Sequence, residues 1–137
     1  QGKYNLFNRE PEEEGILRQA KENGTGFIAF SPLAQGLLTN RYLNGIPDDS
    51  RIAKGGFLKK EALTDEVLKK IKALNELAIR RGQTLAEMAL AWILKDDLVT
   101  SVIIGASSVG QLADNLKAID NTAFSAEELK NIYQIVK

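Results

Sequence analysis

The sequence contains no cysteine and no histidine. Without cysteine, the chain can form neither a disulfide framework nor a thiolate nucleophile. Without histidine, it lacks the side chain that most often acts as a general base or a metal ligand near neutral pH. We therefore expect no metal site and no histidine-dependent catalysis within these residues.

An excess of charge of one sign is also missing, because 18 Lys and Arg residues balance 18 Asp and Glu residues. This balance disfavours a general binder of nucleic acids or other polyanions. No run approaches the ~18 apolar residues of a membrane span, and no signal peptide is recognisable. We expect no nucleic-acid partner, no membrane insertion and a cytoplasmic location.

A length of 137 residues corresponds to one domain. The chain begins with Gln1 rather than methionine, so we expect it to be a processed or excised piece of a longer polypeptide. Its patterns follow the order strand, helix, strand, long loop, two helices, strand, two helices. Strands that alternate with helices predict right-handed crossovers and a parallel sheet. The predicted strands are residues 2–8, 27–31 and 101–104, the last two of them buried.

Hydroxyl residues three positions before a Glu or Gln predict where several helices begin. Thr84 with Glu87, Ser108 with Gln111 and Ser125 with Glu128 each have the spacing of a capping box, and Thr64 is predicted to cap a further helix. Trp92 is predicted to be a packed core residue. In the helix after Ser108, the spacing of three apolar residues predicts a buried stripe. These residues are Leu112, Leu116 and Ile119.

The second strand is followed by the first candidate site. Pro32 cannot donate to a sheet ladder and restricts its predecessor, so the strand should end at an extended Ser31. Ligands of parallel α/β proteins bind at the carboxyl ends of strands. Ser31, Ala34 and Gly36 are small enough to let a ligand approach the backbone. The alternative is an ordinary loop after a buried strand.

The third strand runs through Gly105 and Ser107 into a helix, which is a common arrangement for anion binding. Gln111 and Asn115 are four positions apart and share one helical face. Asp114 and Asn115 are candidates to hydrogen-bond a base or a sugar. The alternative for Gln111 is that it only caps the helix.

Residues 37–63 form a long segment without clear periodicity, and such a loop is usually functional or disordered. Its side chains include five cations, among them Arg41 and Arg51, and three acids, which gives a charge of +2. An anion is a reasonable ligand for this loop. The alternative is that these are solvated surface charges.

Four parts of the chain together resemble the C-terminal part of aldo-keto reductases, in particular the branch of voltage-gated potassium channel β subunits and their bacterial relatives. They are residues 1–9, residues 29–42, residues 45–47 with 50–51, and residues 101–107 with 111 and 115. The resemblance implies an α/β fold in which residues 1–137 are the C-terminal portion of one (β/α)₈ TIM barrel domain. This portion would hold about three strands with flanking helices and a long loop over the cofactor, and the N-terminal portion would be absent.

The resemblance also implies a binding site for NADP(H). Gln1 would hydrogen-bond the nicotinamide carboxamide, and the Phe30 ring would lie against the nicotinamide face. Arg41 and Arg51 of the long loop would fold over the phosphates. The residues implied to line the pyrophosphate are Ser31, Pro32, Leu33 and Gln35.

At the other end of the cofactor, the resemblance places Gly105, Ser107 and Gln111 at the adenosine 2′-phosphate and ribose. Asn115, together with Asp114, would contact the adenine. Similar proteins often have Arg or Asn where this chain has Ser108. One cation fewer near the 2′-phosphate leaves the choice between NADPH and NADH open.

The family's catalytic Asp, Tyr, Lys and His have no matching positions in this chain, so no catalytic residue is assigned. The expected function is that of the NADP(H)-binding part of a reductase that transfers hydride from NADPH to aldehydes or ketones. This chain alone is expected to be inactive. The alternative is a non-catalytic auxiliary module like the potassium channel β subunits.

Two kinds of partner are expected. The parent protein would bind a small carbonyl substrate. An incomplete barrel exposes strand edges and its apolar inner face, which favours self-association or pairing with the missing part of the barrel.

Overall fold

A computed structural model of the chain describes residues 1–43 and 63–137. Three parallel strands form one sheet in the order β1-β2-β3. They are β1 (Gly2–Lys3), β2 (Ile28–Phe30) and β3 (Ser101–Val102). Lys3 pairs with Phe30, and Ala29 pairs with Val102. The predicted parallel sheet is confirmed, although each strand is shorter than predicted.

The described residues contain six α-helices. They are α1 (Glu10–Glu13), α2 (Ile16–Glu22), α3 (Asp65–Arg80), α4 (Leu85–Ile93), α5 (Val109–Leu116) and α6 (Ala126–Val136). The sequence pattern predicts one helix where the structure has α1 and α2. Gly15 separates them, because its φ of 79° is left-handed and interrupts a right-handed helix.

Four helices begin at a hydroxyl cap as predicted. The side chains of Thr64, Thr84, Ser108 and Ser125 each accept a hydrogen bond from the backbone N–H three residues later, at 3.1 Å. Only at Ser125 is the reciprocal bond of a capping box present as well. The predicted boxes at Thr84 and Ser108 are half formed, and the Gln111 side chain bonds Ser107 instead.

The core lies between the helices and the face of the sheet that carries Ala29. Every residue of α4 is buried, which fits its mostly apolar sequence. Trp92 is confirmed as a core residue. Its ring centroid lies 5.1 Å from that of Tyr4, the residue that follows β1.

The other face of the sheet is open. Ile28, Phe30 and Ile103 are 40%, 39% and 49% exposed, whereas Ala29 between the first two is fully buried. The prediction that β2 and β3 are buried strands is therefore wrong for this face. The described helices cover only the Ala29 side, so alternate apolar residues lack a second layer.

The predicted buried stripe of α5 is also wrong. Leu112 and Leu116 are 41% and 56% exposed, and Ile119 in the following 3₁₀ turn is 68% exposed. Helix α5 buries Asn115 instead. A periodic pattern identifies the apolar face of a helix, but this face packs only if another element covers it. We call Leu112, Leu116 and Ile119 the α5 stripe.

Candidate functional site

The carboxyl ends of β2 and β3 open into one cleft of about 880 Å³. The structure therefore brings together the two strand ends that the sequence singles out. The predicted site residues that line the cleft are Ser31, Pro32, Leu33, Gln35, Arg41, Gly105, Ser107, Gln111, Asp114 and Asn115.

Three predicted site residues are not in this lining. Phe30 lies just before it, on the open face of the sheet. Gln1 is exposed and lies just before β1. Arg51 lies outside the described residues, so its predicted role has no structural description.

The loop after β2 has an unusual backbone. Ser31, Ala34 and Gln35 have φ angles of 53°, 50° and 57°, in the left-handed region that non-glycine residues seldom occupy. The prediction that Ser31 is extended is therefore wrong. Each such residue costs about 1–2 kcal/mol, and residues of this kind cluster at functional sites.

Asn5 explains the conformation of Ser31. Its Nδ2 donates to the Ser31 carbonyl oxygen at 2.9 Å. Its Oδ1 accepts from the backbone N–H groups of Phe7 and Asn8 at 2.8 and 2.9 Å. Asn5 is fully buried, so these bonds hold the turn after β1 and the loop after β2 together in a site shielded from water. The sequence did contain a signal for it, a polar residue between the apolar Tyr4 and Leu6.

The opposite wall is the entry into α5. The Gln111 Oε1 accepts hydrogen bonds from the Ser107 backbone N–H at 2.8 Å and from the Ser107 hydroxyl at 2.9 Å. These are two of the donors that an anion at this helix N-terminus would use. A bound phosphate oxygen could therefore replace the Gln111 Oε1 as the acceptor of these two hydrogen bonds.

At the α4 side of the cleft, Asp114 and Asn115 face the N-terminus of α4. The Thr84 hydroxyl donates to the Asp114 Oδ2 at 3.1 Å. Behind it, Glu87 is only 8% exposed. Burial raises the pKa of the Glu87 carboxyl, and its hydrogen bond to Asp114 and the charge of Asp114 raise it further, against opposing effects of Thr84 and Lys117. Thr84 lines the cleft, although the sequence pattern predicts for it only the role of a helix cap.

The cleft carries one charge of each sign in the part of the chain that the structure describes. Arg41 is the cation and Asp114 the acid among the described lining residues. The Arg41 backbone N–H donates to the Thr39 hydroxyl at 3.2 Å, and that hydroxyl donates to the Gly36 carbonyl at 2.6 Å. Arg41 is thus tied to the loop that follows β2.

Two further findings concern residues 1–43 and 63–137. No three Asp or Glu side chains there are grouped so that they could hold a metal ion. None of the helices in these ranges combines the length and the apolar character that a membrane crossing requires.

The chain is similar to proteins of known sequence along its whole length. The family model of the aldo/keto reductases matches residues 1–137. The L-glyceraldehyde 3-phosphate reductase of Escherichia coli K12 is 51% identical over 98% of this chain. A probable voltage-gated potassium channel subunit beta of Arabidopsis thaliana is 41% identical over 88% of it. The chain spans only 40% and 38% of the lengths of these two relatives.

Solved structures agree. An aldo-keto reductase from Bacillus halodurans in its holo form superposes with a TM-score of 0.71, at 29% identity, over 98% of this chain and 41% of that one. A thermostable aldo-keto reductase in complex with the inhibitor epalrestat gives a TM-score of 0.66, at 28% identity, over 97% and 38%. These neighbours are TIM barrels, so the predicted fold is confirmed, with three parallel strands of the barrel in this chain. The chain belongs to the aldo/keto reductase family of oxidoreductases.

Proposed function

We propose that the cleft binds NADP(H), and that this chain is the cofactor-binding part of a reductase that transfers hydride from NADPH to an aldehyde or ketone. Aldo/keto reductases generally use NAD(P)H. The observation that carries the proposal is the single cleft into which the ends of β2 and β3 both open, because an extended dinucleotide needs contacts at two separated points.

The residues of the cleft fit the phosphates. The left-handed loop with Ser31 and Gln35 brings backbone close to the cleft, and Arg41 supplies a positive charge. The N-terminus of α5, with Ser107 and Gln111, provides donors for a second phosphate. In this proposal Arg51 joins Arg41, as the family resemblance implies.

The residues also fit the adenine. Asn115 is 8% exposed and lines the cleft, and its side chain makes no hydrogen bond to another described residue. The Asn115 amide offers both a donor and an acceptor, which suit the edge of a base. At the other end of the cofactor, the half-exposed Phe30 ring offers an apolar surface to the nicotinamide, and the family resemblance assigns the carboxamide to Gln1.

The groups that donate protons to the carbonyl are proposed to lie outside this chain. The Escherichia coli relative acts on L-glyceraldehyde 3-phosphate by its name, and this supports a small aldehyde as the substrate of the longer protein. We therefore expect the 137-residue chain alone to give no turnover with NADPH and aldehydes.

A binding titration tests the cofactor proposal. NADPH is added to the chain, and its nicotinamide fluorescence is followed for the native sequence and for Asn115→Leu. We expect the variant to bind about tenfold more weakly, because a buried polar contact to the ligand is lost. The matched control is Asn131→Leu, a change on α6 away from the cleft.

Native-like affinity in Asn115→Leu would contradict the adenine contact, and no NADPH binding by the native chain would contradict the proposed function. NADH titrated in parallel measures the preference that Ser108 leaves open. For the reaction, a chimera carries residues 1–137 in place of the matching segment of the Escherichia coli relative. We expect the chimera to oxidise NADPH when L-glyceraldehyde 3-phosphate is added.

A second function is supported by the Arabidopsis thaliana relative, whose name is that of a probable potassium channel subunit. In this alternative the chain is part of an auxiliary subunit that binds cofactor without turnover. A chimera that binds NADPH but reduces no member of an aldehyde panel would favour it.

A further inference from the structure

The chain has three tyrosines, and their hydroxyl groups have three different environments. Tyr4 is buried, and its hydroxyl donates to the Glu12 Oε2 at 3.1 Å. Tyr133 is 52% exposed, so water can bond its hydroxyl. Tyr42 is fully buried, and its hydroxyl is the one buried side-chain polar group of the described residues that has no hydrogen-bond partner. Such exceptions are rare in folded proteins and call for an explanation.

The unpaired hydroxyl of Tyr42 is costly in the free chain. On folding it loses its hydrogen bonds to water and gains none in return, which lowers the folding equilibrium constant about fivefold or more. Phenylalanine would fill the same space without this cost. Packing therefore explains the ring of Tyr42, whereas the hydroxyl needs a partner in another state of the protein.

Tyr42 lies behind the wall of the cleft. It ends the 3₁₀ turn Asn40–Tyr42, in which Asn40 and Arg41 line the cleft. Gly36 lines it too, and a Cβ built on Gly36 would lie 3.6 Å from the Tyr42 Cε2 and 4.0 Å from the hydroxyl oxygen. The hydroxyl is thus next to the backbone of a residue that a ligand in the cleft would meet.

The Gly36 carbonyl is a suitable partner for this hydroxyl. It accepts a hydrogen bond from the Thr39 hydroxyl at 2.6 Å. A carbonyl oxygen has two lone pairs, so it can accept a second bond. Gln35 and Gly36 have left-handed φ angles of 57° and 96°, which are costly for the non-glycine residue. This part of the loop therefore carries both a strained backbone and an unpaired donor beside it.

We propose that Tyr42 is a positioning residue for the ligand-bound cleft: when a phosphate draws Arg41 inward, the Tyr42 hydroxyl donates to the Gly36 carbonyl and holds the 3₁₀ turn around the ligand. Arg41 and Tyr42 are neighbours in this turn, so a movement of one displaces the other. Ligand binding then removes the cost of the unpaired hydroxyl. The identity of the ligand as a dinucleotide rests on the proposed function, whereas the cost in the free chain does not.

Tyr→Phe changes at all three tyrosines test the free chain, with urea denaturation as the measurement. We expect Tyr42→Phe to raise the folding equilibrium constant about fivefold, because an unpaired buried donor is removed. Tyr4→Phe should lower it, since the Glu12 carboxylate loses a donor, and the exposed Tyr133→Phe should leave it unchanged. A Tyr42→Phe variant no more stable than the native chain would overturn the proposal.

An NADPH titration of the same variants tests the ligand-bound state. Tyr42→Phe lacks a bond that forms only with ligand present, so we expect it to bind about fivefold more weakly despite its greater stability. Tyr133→Phe is the matched control and should bind as the native chain does. A tyrosine with a merely structural role would not give this combination of higher stability and lower affinity. Native-like affinity in Tyr42→Phe would overturn the positioning role.

Inorganic pyrophosphate separates this proposal from the proposed function. If the native chain binds no NADPH, the titration is repeated with pyrophosphate, which supplies the phosphates without the nucleosides. Weaker pyrophosphate binding by Tyr42→Phe than by the native chain would support the role of Tyr42 and reject the dinucleotide. Equal binding by the two proteins, or no binding by the native chain, would overturn the role of Tyr42 as well.

Discussion

The amide nitrogen of Asn5 lies 2.9 Å from the carbonyl oxygen of Ser31, to which it donates a hydrogen bond. The two residues belong to neighbouring strand ends. The Ser31 carbonyl also accepts from the Ala34 N–H at 3.2 Å. Because Asn5 is buried, this bond fixes the left-handed loop of the cleft before any ligand binds.

The first prediction concerns this bond. Asn5→Asp keeps an acceptor for the N–H groups of Phe7 and Asn8 but places an oxygen against the Ser31 carbonyl. We expect the free energy of unfolding to fall by about 1–3 kcal/mol, together with weaker NADPH binding. Urea denaturation and the NADPH titration measure the two effects.

The control for this prediction is Asn8→Asp. Asn8 donates to the Lys3 carbonyl at 2.8 Å, but in an exposed position. Loss of this hydrogen bond should lower the free energy of unfolding by less than in Asn5→Asp, because water can replace the donor. Equal losses in the two variants would show that Asn5 does not hold the loop in a special way.

The second prediction concerns Arg41 in the cleft. Arg41→Ala removes the positive charge of the described lining, so we expect NADPH to bind about tenfold more weakly at low salt. The difference from the native chain should shrink as ionic strength rises, since salt screens exposed charges. Titrations at two salt concentrations measure it, with Arg80→Ala on α3 as a control away from the cleft. A loss independent of salt would argue against a phosphate contact.

The third prediction concerns Arg81 after α3. Its side chain is almost fully buried, donates to the carbonyls of Asn121 and Ala123, and pairs with Glu128 at 2.9 Å. Arg81→Ala leaves these acceptors unpaired and should lower the free energy of unfolding by about 3 kcal/mol. Arg81→Lys should recover part of it, because lysine has the charge without the planar fork. Thermal and urea denaturation measure the series, and a loss no larger than that of the exposed Arg80→Ala would contradict it.

The fourth prediction is the pH dependence of the same pair. Burial pushes the pKa of Glu128 upward, but the Ser125 backbone and Arg81 outweigh it and lower the pKa below its ordinary value. A carboxyl whose pKa is lower in the folded chain than in the unfolded chain stabilises the fold at pH values above the unfolded-state pKa. This stabilisation is lost as the pH falls through the folded-state pKa. The stability advantage of the native chain over Glu128→Gln should therefore decline as the pH falls through and below the ordinary pKa range of Glu. Urea midpoints at each pH test this, and a constant difference would count against it.

The fifth prediction concerns association of the free chain with a second copy. The α5 stripe and the open face of the sheet both expose apolar residues, and such surfaces favour self-association. We expect the mass from light scattering to rise with concentration and to fall in the double variant Leu116→Glu, Ile119→Glu. Ile79→Glu, an isolated exposed residue on α3, is the matched control. A native chain that stays monomeric at all concentrations would refute the prediction.

Local signals predicted much of the fold. The parallel sheet follows from alternating strand and helix patterns, and Thr64, Thr84, Ser108 and Ser125 do begin helices. Cap bonds span only three residues, so the sequence contains everything that decides them. The two strand ends that line the cleft could be predicted as well, because residues next to each other in the sequence mark where these strands end.

Long-range contacts decided the rest. Ser31 is left-handed although Pro32 follows it, because Asn5, 26 residues earlier, holds its carbonyl. The exposure of the α5 stripe depends on what covers it, and no pattern within α5 contains that information.

The sheet has a further consequence for how the barrel is completed. In the part of the chain that the structure describes, β1 and β3 each pair with β2 on one side only. A polypeptide that closes the ring must therefore add backbone bonds at both outer strands. A polypeptide that pairs with only one outer strand would satisfy half of the unpaired backbone N–H and C=O groups. The inner face of the sheet would stay exposed to water. Covering the inner face of the sheet therefore requires pairing at both outer strands.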